Sequence, residues 1–232
     1  MDTIDAVMET PRIKVIKEII KKLDKKNVNK LLDIGCGNGY ITENVFMEYF
    51  DADFYGIEMG DGAEEAEKKG INTIKIDLNQ NSKWIYDDNF FDLIFAGEII
   101  EHLLNPDIFL EEIYRTLAIN GVFIITTPNL AAWYNRVLLL LGYQPFGTDA
   151  SFKYPYVGKL KKFEGDGQHL RVGTYKSIKE LLEIHGFEII YKKGTFAEDL
   201  KLLSVFRYIE KLTFNFPSMS TGLIFICKKR KE

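Results

Sequence analysis

A chain of 232 residues, 46% of them hydrophobic and 28% charged, is long enough to bury one sizeable core and short for two ordinary domains. A formal net charge of −4 demands no polyanion partner, so nucleic acid is not an expected one, and the lysine runs at 159–162 and 228–231 read as solvated surface. Two cysteines exclude a disulfide framework and point to a reducing, cytoplasmic setting; residues 1–10 lack the apolar run of a secretory leader, and the longest apolar stretch, 137–141, is far below the ~20 residues that span a bilayer.

Taken in chain order, Thr10 followed by Pro11 starts a helix whose apolar face is Ile13, Ile16, Ile20 and Leu23. A buried strand over 30–34 runs into a glycine cluster, and a helix follows over 40–49. Strands are expected over 53–57, 72–76, 91–96 and 121–126, separated by helices over 62–69 and 107–118, the latter capped by Asn105 with Pro106 in its first turn. Strands alternating with helices require a parallel sheet, because parallel neighbours are joined by crossovers and not by hairpins. After a helix over 130–141 the periodicity fails. Residues 142–173 are rich in glycine and aromatics, and irregular stretches of that length inside a compact domain are usually lids or binding loops. Order returns with a helix from the Thr174 cap to His185, a strand over 187–191, a further helix over 197–212 and a last strand over 223–228. One domain over 1–232 is expected, with 130–173 as a substrate cap.

Ligands of open α/β sheets sit beyond the carboxyl ends of the strands. Four sequence features fall there: the loop 33–39, Glu58, Asp77 and the segment 97–102. The loop reads Asp33-Ile34-Gly35-Cys36-Gly37-Asn38-Gly39. Its glycines allow a tight turn and a close approach of backbone to ligand, but their spacing is not that of the dinucleotide fingerprint. Asp33 would repel a pyrophosphate, whereas an aminoacyl sulfonium ligand carries positive charge that a carboxylate favours. Glu58 stands about 20 residues further on, where a carboxylate can accept from ribose hydroxyls. Asp77 is placed to accept from an adenine amino group, or else serves as a turn residue. Cys36 has no histidine paired with it in sequence and reads as a packing residue. His185, beside Gly186 at a helix end, reads as structural.

In this order the motifs, together with Glu98-Ile99-Ile100-Glu101-His102 and Thr126-Thr127-Pro128-Asn129, resemble the class I S-adenosylmethionine-dependent methyltransferases over about 10–129. The resemblance implies a Rossmann-like three-layer α/β sandwich, with a seven-stranded sheet in the order 3-2-1-4-5-7-6 and strand seven antiparallel. It implies S-adenosylmethionine as cofactor, bound by Arg12, Asp33, Gly35, Gly37, Asn38, Gly39, Glu58, Met59, Asp77, Leu78 and Gly97. Within the superfamily the Glu-x-x-Glu-His segment is similar to that of the quinone-biosynthesis O-methyltransferases. In some of those relatives it looks like a divalent-metal site, which here would be Glu98, Glu101 and His102. The reading favoured from sequence is metal-free, these residues shaping the cofactor pocket and capping the next helix.

Candidate catalytic groups are His169 and His102. A histidine over the pocket is a base if the acceptor starts protonated, or else a residue that holds the cap to the core. Trp133, Tyr134, Phe146, Phe152, Tyr154 and Tyr156 line an apolar or aromatic acceptor pocket, or form a second small core. Leu138 to Leu141 allow a lid that touches lipid or a partner subunit. The expected activity is methyl transfer to an oxygen, nitrogen or carbon of a small molecule. Its rivals are a nicotinamide-dinucleotide oxidoreductase and a non-catalytic S-adenosylmethionine-binding protein.

Overall fold

The computed structural model describes residues 10–23, 25–80, 83–160, 169–195 and 216–230. Its sheet is built from β1 (Lys30–Ile34), β2 (Asp53–Ile57), β3 (Asn72–Ile74), β4 (Phe91–Gly97), β5 (Leu117–Pro128), β6 (Phe187–Thr195) and β7 (Gly222–Lys229). The strand order is β3-β2-β1-β4-β5-β7-β6, with β7 antiparallel to both neighbours and the first five strands parallel, as the motif order implies. The helices are α1 (Pro11–Ile20), α2 (Ala63–Lys68), α3 (Pro106–Thr116), α4 (Trp133–Leu140) and α5 (Tyr175–Ile184).

Successive side chains of a strand point to opposite faces, and here both faces are apolar. Leu31, Leu93, Phe95, Ile124 and Ile226 pack on one side with Ile13, Ile16 and Ile20 of α1. Leu32, Ile94, Phe123, Ile125 and Phe225 pack on the other with Leu110 and Ile113 of α3 and Leu182 of α5. Helices on both faces of one sheet make the three layers. α1 starts where expected, Thr10 accepting from the Ile13 amide at 3.4 Å, and α5 starts with a reciprocal cap between Thr174 and Ser177.

Several boundaries differ from expectation. The expected helix over 40–49 contains a π-helical turn, Thr42–Phe46. At the ends of this turn the Thr42 hydroxyl donates to buried Asp33 and the Phe46 ring packs on Phe95, at 5.2 Å between centroids. β5 begins at Leu117 instead of 121. Leu117 pairs with Phe91 and Val122 with Leu93, so the residues between them bulge out, and at Gly121 any Cβ would meet Leu117 and the Ala118 carbonyl. β3 stops at Ile74, short of 76, and β6 runs on to Thr195. α4 starts at Trp133 because the Asn129 side chain takes the Ala131 amide at 3.0 Å and holds a turn there. The helix expected over 197–212 lies outside the described residues.

The irregular segment is a closed excursion. Its first and last residues meet, the Leu130 amide donating to the Gly173 carbonyl at 2.9 Å. Inside it, Asn135 of α4 accepts from the Phe146 amide at 2.9 Å and donates to the Phe146 carbonyl at 3.0 Å, which fixes the chain after the helix.

Candidate active site

The loop leaving β1 has the conformation its glycines permit. Gly35, Gly37 and Gly39 have φ of 70°, 54° and 74°, a region that costs a residue with a Cβ about 1–2 kcal/mol. A Cβ on Gly35 would collide with the Ile99 side chain, whereas one on Gly37 would meet nothing within 4 Å, so the loop faces open space at Gly37. Glu58, just past β2, holds this loop. Its Oε2 accepts from the Gly37 amide and its Oε1 from the Gly60 amide, each at 2.8 Å. Each carboxylate oxygen keeps a further lone pair, so a diol can still be accepted.

Asp33 is 2% exposed and accepts from the Thr42 hydroxyl at 2.5 Å. Burial pushes its carboxyl up to about 7, the Thr42 bond opposing this and the Glu58 charge adding to it. A nearby cation would reverse that shift. Burial first, then the charges of Asp33 and Glu58, pushes the Cys36 thiol up to about 12, which rules out a thiolate nucleophile at neutral pH. Asn38 is exposed and bonds within its own loop, its Oδ1 accepting from the Tyr40 amide at 3.2 Å. Met59 is 66% exposed beside Glu58, and Leu78 packs at the edge of the core. Asp77 accepts from the Asn79 amide at 2.9 Å, so its side chain forms the turn that presents Leu78. Gly97 ends β4, where a Cβ would strike the Phe95 ring at 2.6 Å.

The segment after β4 forms the second half of the site. Glu98 has a positive φ of 58°, unusual for a residue with a side chain and typical of functional sites. Its Oε1 accepts from Thr126 Oγ1 at 2.7 Å and meets the Arg12 guanidinium at 3.1 Å, so α1 is tied to the end of β4. Glu101 is fully buried. Its Oε2 accepts from Thr127 Oγ1 at 3.0 Å, while Oε1 has no hydrogen-bond partner. Burial, and after it the Glu98 charge, pushes the Glu101 carboxyl up to about 8. The Glu101 carbonyl accepts from the Leu170 amide at 2.8 Å and the Arg171 amide at 3.0 Å, which staples the end of the cap to this turn.

That staple sets the His169 ring 4.8 Å from the His102 ring, centroid to centroid. His169 Nδ1 lies 2.9 Å from the Gly147 carbonyl, which can only accept, so the neutral ring donates from Nδ1 and keeps its Nε2 lone pair. Ligand atoms of Glu101, His102 and His169 lie within 4.8 Å of one another. The set of side chains able to hold a cation therefore differs from that suggested by sequence: His169 joins it, and Glu98 is turned to Arg12 and Thr126. The orphaned Glu101 oxygen beside two imidazoles suits a divalent ion.

Phe146 leads directly into Gly147. Its ring lies 5.8 Å from Tyr134, which lies 5.7 Å from Trp133, a row of aromatic rings next to the His169 anchor. Three further aromatic candidates from the sequence are exposed: Phe152 at 60%, Tyr154 at 46% and Tyr156 at 41%. His185 caps α5, its Nδ1 at 2.8 Å from the Leu181 carbonyl and its Nε2 at 3.3 Å from Asp107, which is a structural arrangement. No helix among the described residues is long and apolar enough to cross a membrane.

An acidic glycine loop on β1, a carboxylate at the end of β2 and this sheet order define the class I S-adenosylmethionine-dependent methyltransferases. A family model described as a methyltransferase domain matches residues 8–192, and the chain belongs to that family. It is 39% identical over 129 residues to the ubiquinone biosynthesis O-methyltransferase of Pelagibacter ubique, covering 51% of this chain and 52% of that one. The protein of the same description from Rickettsia prowazekii is 28% identical over 223 residues, 90% of this chain and 83% of its own. The chain spans about half of the length of the Pelagibacter relative and less of others, such as 26% of phosphoethanolamine N-methyltransferase 3 of Arabidopsis thaliana. Among solved structures, an S-adenosylmethionine-dependent methyltransferase from Thermotoga maritima superposes with a TM-score of 0.62 at 16% identity, covering 97% of this chain and 92% of that one, a likeness of fold.

Proposed function

We propose that this chain transfers the methyl group of S-adenosylmethionine to an oxygen of a small apolar or aromatic acceptor. The observation that carries the reading is the bond from the Gly37 amide to Glu58, which sets a second carboxylate beside a loop whose own charged side chain, Asp33, is acidic. A carboxylate held there accepts ribose hydroxyls, while Asp33 favours the ammonium and sulfonium charges. A pyrophosphate at this loop would meet the two carboxylates, Asp33 and Glu58. Asp33, Gly35, Gly37, Asn38 and Gly39 then surround the methionine and ribose portions, with Met59, Asp77 and Leu78 at the adenine. Gly97 lies on the methionine side, where Arg12 meets the cofactor carboxylate.

Methyl transfer from a sulfonium is an in-line displacement, so holding the acceptor oxygen in line with the methyl group supplies most of the acceleration. A base contributes only where the acceptor arrives protonated. His169, with its free Nε2 lone pair, takes that role in this reading, and His102 packs beside it. The aromatic row from Trp133 to Phe146 supports an apolar acceptor, and two relatives described as O-methyltransferases support oxygen as the methylated atom.

A second reading of the same site is favoured by the unpartnered Oε1 of buried Glu101. In it Glu101, His102 and His169 hold a divalent ion, which when bound would lower the pKa of an acceptor hydroxyl. Incubation with S-adenosylmethionine and a panel of phenols and catechols, with and without a chelator, tests both. Methylated product that survives the chelator supports the base reading. Product that is lost with the chelator and restored by a divalent ion supports the second, and no product from any oxygen acceptor removes both.

A further inference from the structure

The start of α2 rests on the glycine loop. A Cβ on Gly62, just ahead of the helix, would lie 2.6 Å from the Gly37 carbonyl carbon, 2.8 Å from its oxygen and 2.9 Å from the Asn38 nitrogen. Four residues on, and so on the same side of the helix, fully buried Ala66 stands 3.2 Å from where Gly39 would carry a Cβ. The loop leaving β1 is thus backed by α2 at two points, and Glu58 holds it at a third through the Gly37 amide.

Backbone conformation does not explain a glycine at position 62. Its φ of −61° and ψ of −23° are those of an ordinary helical residue, open to any side chain. Alanine there would be favoured over glycine by helix propensity and by chain entropy. The contact with Gly37 and Asn38 is what forbids a side chain, since the atoms it would strike are backbone and cannot swing aside. A Cβ on Gly37 itself would meet nothing within 4 Å, Gly62 included, so Gly62 and the open space lie on different sides of that residue. A methyl group on Gly62 would push the loop towards that space, at little cost to the fold and at the expense of a ligand that enters there.

We propose that Gly62 is a positioning residue for S-adenosylmethionine, on the reading that this loop takes the cofactor. Its missing side chain sets how far the loop stands from α2, and so where the Gly37 backbone meets a ligand whose hydroxyls Glu58 accepts. Gly62 touches no reacting atom and acts through Gly37 alone.

Calorimetric titration with S-adenosylhomocysteine and thermal unfolding, run on the full wild-type chain, Gly62→Ala and Gly70→Ala, test this. Gly70 follows the same helix at a φ of 85° with no atom within 4 Å of its missing Cβ, so its substitution strains the backbone and crowds nothing. Gly70→Ala is expected to lower the unfolding temperature by about 2–8 °C and to keep wild-type affinity. Gly62→Ala is expected to do the reverse. Its affinity falls about tenfold or more, while without ligand it unfolds within about 2 °C of wild type. Wild-type affinity in Gly62→Ala overturns the proposal. So does a Gly62→Ala protein that fails to fold or unfolds below Gly70→Ala, because Gly62 would then serve the fold at large. Silence from the wild-type chain would remove the cofactor reading itself, and the proposal with it.

Discussion

Buried Asp33 accepts from the hydroxyl of Thr42 at 2.5 Å, and this bond is the main influence that opposes the upward shift of a carboxyl pushed to about 7. Two pH effects follow. A carboxyl whose folded value lies above its unfolded value stabilises the fold fully below the unfolded value and loses that contribution as pH rises through the folded one. Cofactor-free protein is therefore expected to lose stability from this group between about pH 4 and pH 7.

Binding of a cation runs the other way, because it favours the ionised form. Affinity for S-adenosylmethionine should rise by up to about tenfold between pH 6 and pH 8, with proton release, and the rise should flatten in Asp33→Asn. Calorimetry in buffers of different ionisation enthalpy measures both, and a pH-independent affinity in wild type would contradict the link.

Glu58→Ala removes two charge-assisted bonds, one to the Gly37 amide of the loop and one to the Gly60 amide, and with them the acceptor for the ribose. At about 1.5–3 kcal/mol for such a bond, affinity should fall by roughly 10–100-fold, while Glu58→Gln keeps an acceptor and loses less. Thermal unfolding should fall further for Glu58→Ala than for Glu58→Gln, because the alanine leaves the Gly37 and Gly60 amides without their acceptor. A Glu58→Ala protein that binds the cofactor normally would show that the ribose lies elsewhere.

Gly37 and Gly70 make a matched pair, since both have positive φ and neither would place a Cβ within 4 Å of another atom. Substitution by alanine should cost each about 1–2 kcal/mol of stability. Only Gly37→Ala should also weaken cofactor binding, because its Cβ would project into the space that the loop faces. Equal cofactor affinity in the two variants would disprove that the open side of Gly37 is the binding side.

For His169→Ala, turnover should drop by about 10²–10⁴-fold if His169 is the base, with cofactor affinity nearly unchanged. His169→Gln keeps a donor for the Gly147 carbonyl and separates the two roles. Restored turnover in the glutamine variant would mean that His169 only anchors the cap.

The sheet and its cofactor end were legible in sequence because strand and helix periods differ, and because glycines at positive φ leave a recognisable spacing. The turn Thr42–Phe46 was not legible, since a π-helical turn buries the same apolar residues as an α-helix, and its bond from Thr42 to Asp33 spans nine residues. The contact of Arg12 with Glu98 joins positions far apart in the chain, and only the resemblance placed Arg12 near the cofactor at all. His169 was visible as a candidate. Its grouping with Glu101 and His102 was not, because it depends on backbone bonds from Leu170 and Arg171 in a segment without periodicity.

The central claim is that the loop from Asp33 to Gly39 takes an aminoacyl adenosine and not a dinucleotide. Calorimetric titration of the wild-type chain at about pH 8, above the Asp33 value, with S-adenosylhomocysteine and separately with NADH, tests it directly. Saturable one-to-one binding of S-adenosylhomocysteine and no heat of binding from NADH are expected. Saturation by NADH, or silence from both, would contradict it.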